Sequence, residues 1–210
     1  MEQFDAVVKI IALTMGAAWA SGINLYAAIL VLGLLGASGN IDLPPDLQIL
    51  TSPLVIAAAG FMYVVEFVAD KIPGVDSGWD TVHTFIRIPM GALLAAGAVG
   101  EVSPALALAA AIVGGGLAAG MHATKSGARI LINTSPEPFS NWMASLGEDL
   151  TVIVGLWLAL NYPWVFIILL VVLLLLVVWI LPKIWRGIKA LYQGLRRLFS
   201  RVKADLPEPK

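Results

Sequence analysis

The sequence predicts an all-α fold, a polytopic membrane helix bundle. Three observations carry this: an apolar excess, apolar runs of spanning length and a basic amphipathic segment near the C-terminal end. Of 210 residues, 59% are hydrophobic and 13% charged, with a mean hydropathy of +0.88. Water-soluble domains carry roughly 25% charged residues. A helical span takes about 20 predominantly apolar residues, so the chain has room for about six spans and for no separate soluble domain. The lack of cysteine excludes disulfides, thiolate metal sites and cysteine nucleophiles.

Apolar runs cut at polar and Pro/Gly punctuation give the elements in order. The first runs from about Phe4 to Gly36, too long for one straight crossing, with Ser21-Gly22-Ile23-Asn24 in its middle. Ala18-Trp19-Ala20 has the form of a signal-peptidase site. The acidic start at Glu2 and Asp5 and the apolar run resuming at Ile23 instead read as a retained span. The second covers Leu54 to Ala69. The third, Ile88 to Val99, recruits polar turns from about Trp79. The fourth, Pro104 to Ile132, is again overlong, with Lys125-Ser126-Gly127 in its second half. The fifth runs from about Phe139 to Leu160 and the sixth from Pro163 to Leu181.

Residues 183–203 are expected to form a separate amphipathic helix lying in the membrane interface, after a transmembrane domain over 1–182; a disordered tail is expected over 204–210. Ile184, Trp185, Ile188, Leu191, Tyr192 and Leu195 recur at helical steps along one face. Seven of the thirteen Lys and Arg residues fall in this segment, with no acid among them. Trp185, Arg186, Lys189, Arg196, Arg197 and Arg201 are its candidate lipid-binding residues, for anionic lipid. The connections 37–53, 100–104 and 161–163 contain no Lys or Arg. The positive-inside rule therefore predicts an integral plasma (inner) membrane protein with both termini cytoplasmic.

An internal repeat is suggested by paired markers. Ser21-Gly22 interrupts the first run and Ser126-Gly127 the fourth, and Thr51-Ser52-Pro53 is followed 83 residues later by Thr134-Ser135-Pro136. Glu66 and Asp149 each stand thirteen residues beyond the proline. The expectation is two inverted three-span repeats, about 4–100 and 104–181, with broken first and fourth helices. Many secondary transporters place their sites at such breaks.

Ionisable residues within spans cost about 2.5–3.5 kcal/mol each and are functional candidates by default. Glu66 and Asp70 share one helical face, and Asp76, Asp80, His83 and Arg87 draw a stripe along the next helix, with Asp76 suited to cap it. His122, Lys125 and Arg129 form a second cluster, followed by Glu137, Asn141, Glu148 and Asp149. The candidate substrate or ion path is Ser21, Gly22, Asn24, Glu66, Asp70, Asp80, His83, Arg87, His122, Lys125, Ser126, Gly127, Arg129, Glu148 and Asp149. The carboxylates and one imidazole of the first cluster would also suit a divalent cation, although their spacing is not diagnostic. No hydrolase, metalloprotease, P-loop or dinucleotide motif is present, so no catalytic residue, enzyme activity or resident cofactor is expected.

The stretches Ala20 to Tyr26 (ASGINLY), Glu66 to Asp80 (EFVADKIPGVDSGWD) and Ser135 to Asn141 (SPEPFSN) resemble the bacterial integral membrane proteins grouped as domain of unknown function 4126, over about residues 10–155. The resemblance implies membrane insertion and carries no activity. The reading from residues is a small secondary transporter or channel for an ion or small solute, acting as a homo-oligomer, with intramembrane acids coupling to protons or cations. The alternatives are a non-catalytic membrane scaffold or lipid-binding protein and, third, a membrane enzyme acting on a lipid headgroup. No nucleic-acid partner is expected.

Overall fold

The computed structural model describes residues 1–72, 74–100, 102–134 and 138–204, with side chains for all of these but 138, 195 and 198–204. Among them there is no strand. The order is α1 (Glu2–Ala37), a short 3-10 helix (Pro45–Thr51), α2 (Pro53–Ala69), α3 (Val75–Val99), α4 (Pro104–Ile132), α5 (Pro138–Asn161) and α6 (Pro163–Ala204). The punctuation has physical causes. Ser103 Oγ accepts the Leu106 N–H at 3.1 Å while Pro104 fills the first helical position, where no N–H is needed. Gly74 and Gly100, at φ of 87° and 67°, close the two turns that bound α3, a backbone region that L-residues avoid.

Five helices are long and apolar enough to cross a membrane: α1, α3, α4, α5 and α6 up to Gly194. The 3-10 helix and α2 pass together as a sixth, bent by 67°. Length does not fix the path of α1, however. Asn24 leaves helical geometry (φ −144°, ψ 98°), and the two limbs of α1, 2–23 and 25–37, fold back on one another. Lys9, Ile10 and Leu13 of the first limb line one hollow of about 380 Å³ with Asn40, Ile41, Asp42 and Pro44, together with Ala98, Ala159 and Leu160. A straight helix would hold residues 13 and 40 about 40 Å apart. Both limbs thus end where α3 and α5 finish and α4 and α6 begin, and Phe4 meets Trp164 there at 5.4 Å. The opposite end of the bundle holds the α2–α3 turn and the end of α4, where Asn133 Nδ2 donates to Asp76 Oδ1 at 2.8 Å.

The beginning of α1 and the far end of α6 lie at opposite ends of the bundle. Two expectations are corrected. The fourth helix is not broken, since α4 is continuous through Lys125-Ser126-Gly127. The segment from Lys183 onward is not a separate element either. It continues α6 through Pro182 as one helix of 42 residues, about 63 Å long, with Ala204 still helical; 205–210 lie outside the described residues.

Small residues let the first limb of α1 enter the bundle. A Cβ on Gly22 would lie 2.5 Å from Ala118 O, and Ser21 Oγ is 3.4 Å from the Cβ position of Gly91. Trp19 is buried against Phe166, with ring centroids 5.9 Å apart. Large apolar side chains such as Phe61, Phe85, Leu108 and Val178 are exposed on the outer surface, as a lipid-facing bundle requires.

Candidate functional site

The tip of α1 is the place where backbone leaves helical geometry inside the bundle, and side chains take up groups freed there. Asn24 Oδ1 accepts the Ala27 N–H at 2.9 Å and so caps the second limb. Its Nδ2 donates to Asp149 Oδ1 of α5 at 2.9 Å. Lys125 Nζ of α4 donates to Ile23 O at 3.1 Å, a cation against the carbonyl end of the first limb. Ser21 Oγ donates to Arg87 O of α3 at 2.9 Å.

A buried lattice of ion pairs lies directly beneath. Arg87 pairs through Nη2 with Glu66 Oε1 and through Nη1 with Asp80 Oδ1 at 2.8 Å. Lys125 Nζ lies 3.4 Å from Glu66 Oε1, 3.1 Å from Asp70 Oδ2, 3.7 Å from Asp80 Oδ1 and 3.5 Å from Glu148 Oε2. Arg129 meets both Glu148 oxygens, at 3.2 and 2.6 Å, and its Nη1 donates to Asn141 Oδ1. Glu66, Arg87 and Arg129 are 0% exposed and Asp80 1%. Removing one partner of such a pair strands a buried charge, at about 3–5 kcal/mol.

The lattice is not balanced. Four carboxylates, Glu66, Asp70, Asp80 and Glu148, pair with three cations, Arg87, Lys125 and Arg129, and a fifth, Asp149, is held by the neutral Asn24 amide. At the rim Lys71 lies 3.5 Å from Ser145 Oγ; burial pushes its ammonium below the ordinary lysine range, with Asp149 and Asp70 pulling it back. Even counting Lys71, one negative charge is in excess when every group carries its ordinary charge. Glu66 Oε2, Asp70 Oδ1, Asp80 Oδ2 and Asp149 Oδ2 are buried without a hydrogen-bond partner, and an unpartnered buried polar atom is costly.

The two histidines are held differently. His122 Nδ1 lies 3.1 Å from Arg87 Nη1, which can only donate, so Nδ1 carries the lone pair and the ring is neutral. Its Nε2 then donates to Thr84 Oγ1 at 2.7 Å. His83 Nδ1 donates to Trp79 O at 2.9 Å, and its Nε2 lies 3.0 Å from the Tyr26 hydroxyl of the second α1 limb. A hydroxyl can donate or accept, so His83 can take up a proton without losing either bond.

The predicted path residues thus divide. Ser21, Asn24, Glu66, Asp70, Asp80, Arg87, Lys125, Arg129, Glu148 and Asp149 converge, with Gly22 supplying the close approach and His83 and His122 at the margin. Ser126 and Gly127 do not join them. Gly127 packs against α6, where an added Cβ would lie 2.6 Å from Ile184 Cγ2, and Ser126 Oγ has a long 3.4 Å contact with His122. Asp76 lies inside the first turn of α3, but its Oδ1 still accepts the Gly74 and Ser77 N–H groups at 2.9 and 2.6 Å. Tyr26, Asn133 and Ser145 are polar partners that spacing alone did not single out. Among the described residues no group of three or more His, Asp or Glu is placed to hold a metal ion. Of the lipid-binding candidates, Trp185 is exposed and Lys189 Nζ stands 5.5 Å from its ring centroid. Ser135, Pro136 and Glu137, and the side chain of Arg201, lie outside the described residues.

Residues 11–183 match the family model described as Domain of unknown function (DUF4126), a match that reaches through the sixth apolar run, beyond the extent of the resemblance in the sequence. No curated protein matches the chain, and no solved structure does.

Proposed function

We propose that this chain, which belongs to the family described as domain of unknown function 4126, is a small secondary transporter or channel for an ion or small solute, coupled to protons or monovalent cations at the tip of α1. The observation that carries this reading is the meeting of a helix break with a buried acid: Asn24 binds Asp149 Oδ1, while Oδ2 makes no hydrogen bond of ordinary geometry and the Tyr63 hydroxyl lies beside the same carboxylate. A proton or monovalent cation taken up there, or at the Glu66 Oε2 edge, offsets the excess negative charge that low-dielectric surroundings penalise. A second copy alongside the first would help to complete a path, since one copy leaves these charges sealed.

The test is flux into liposomes holding the purified protein, driven by proton or sodium gradients across a panel of solutes. Glu66→Gln and Asp149→Asn are each expected to lower the coupled flux about tenfold or more, the effect of losing roughly 1.4 kcal/mol at the coupling site. Absence of coupled flux across the panel, or flux unchanged by both substitutions, removes the transport reading. The non-catalytic scaffold then takes its place, favoured by the eight close ion contacts that tie α2, α3, α4 and α5 together.

A further inference from the structure

Between α4 and α6 lies an apolar hollow of about 730 Å³, lined by Ala123, Gly127, Ile130, Ile184, Trp185 and Ile188 among others. It is within the size range of small-molecule sites and exposes almost no polar surface. The neighbouring positions on α6 are different in character. Lys189 stands one turn beyond Trp185 on the same helix face, 5.5 Å from the indole centroid. Arg186 is tied to the rim, its Nε donating to Pro182 O at 3.3 Å, and Pro182 also lines the hollow. No acid occurs between Lys183 and Ala204 to neutralise these charges. Gly127 keeps the two helices in contact at the floor.

We infer that this hollow is a site for one anionic phospholipid, an acyl chain lying against Gly127, Ile130, Ile184 and Ile188 and the phosphate at Arg186 and Lys189. Charge complementarity selects the occupant. An apolar slot alone accepts any bilayer lipid, whereas a slot ending at two exposed cations favours a headgroup with net negative charge. The site is separate from the acids around Asn24 and does not depend on the transport reading.

The probe is a titration of the full-length protein in detergent with phosphatidylglycerol or phosphatidylcholine of matched chains, bound lipids being counted by native mass spectrometry. The first phosphatidylglycerol is expected to bind about thirtyfold more tightly than phosphatidylcholine, given about 1 kcal/mol for each of the two basic residues. R186Q/K189Q, a change of exposed side chains, is expected to remove that preference. A123F is expected to weaken the binding of both lipids by filling the slot from its exposed side. Equal binding of the two lipids by the wild type, or a preference unchanged in R186Q/K189Q, overturns the inference. If A123F does not fold, the charge variant and the lipid comparison decide alone.

Discussion

α1 carries a Ser-Gly pair near its middle and α4 the same pair in its second half, yet one folds back on itself and the other is continuous. The pair is therefore not what breaks a helix here. In α1 the break is stabilised from three sides: Asn24 caps the Ala27 N–H, Lys125 takes the carbonyl of Ile23, and Asp149 holds Asn24 in place. α4 has Lys125 one residue before its Ser126-Gly127, but that ammonium points to α1 and α2, and no side chain competes for the helical hydrogen bonds around Gly127. Its glycine serves packing against Ile184 instead. A helix break inside a bundle needs tertiary partners for the freed groups, and only α1 has them.

The difference can be broken most completely at the level of sidedness. The chain has no cysteine, so single substitutions Glu2→Cys, Asn40→Cys and Thr134→Cys report cleanly. Labelling of intact vesicles with an impermeant maleimide should place residues 2 and 40 on one side and 134 on the other. Labelling of 2 and 40 from opposite sides would mean that α1 crosses straight, and the fold-back would be wrong. Next in size is Asn24→Ala. It removes the cap and the hydrogen bond to Asp149 Oδ1, an expected loss of about 2–4 kcal/mol, seen as a lower melting temperature in detergent. Gly22→Ala and Gly127→Ala then compare the two glycines directly. The Gly22 Cβ would meet the α4 backbone, Ala118 O at 2.5 Å, which cannot move aside, and about 1–3 kcal/mol is expected. At Gly127 the nearest atom is a side-chain methyl, so a smaller loss of about 1 kcal/mol is expected. A reversed order would show that α4, not α1, is the tightly fitted helix.

What the sequence made legible follows from the range of the interactions. Helix positions came through because apolar period and Pro/Gly punctuation are local: the expected run from Pro104 to Ile132 and α4 coincide. For α3, which begins at Val75, the apolar run alone reaches back only to about Trp79, whereas the helical spacing of Asp76, Asp80, His83 and Arg87 marks its charged first turns. The candidate residues were found because charge inside a span is conspicuous, but not their pairing. Spacing alone does not show that Arg87 binds both Glu66 and Asp80, within the first half of the chain. Nor does any local pattern reveal that α1 returns. That depends on Asn40 to Pro44 reaching Ala98 and Ala159, contacts more than fifty residues apart.

The smallest expected effect tests the same contrast through the two serines. Ser21 is fully buried and donates across to Arg87 O at 2.9 Å, fastening the first limb of α1 to the helix that carries the central guanidinium. Ser21→Ala should cost about 1 kcal/mol, the net worth of one buried hydrogen bond. Ser126 is part-buried, and its 3.4 Å contact with His122 Nε2 competes with the shorter Thr84 bond to the same nitrogen. A contact of that length adds little, so Ser126→Ala should fall within about 0.5 kcal/mol of the wild type, the usual range for substitutions without such a partner. Equal losses at the two positions would mean that α4 also depends on its Ser-Gly pair, and the asymmetry between the two helices would then rest on Asn24 alone.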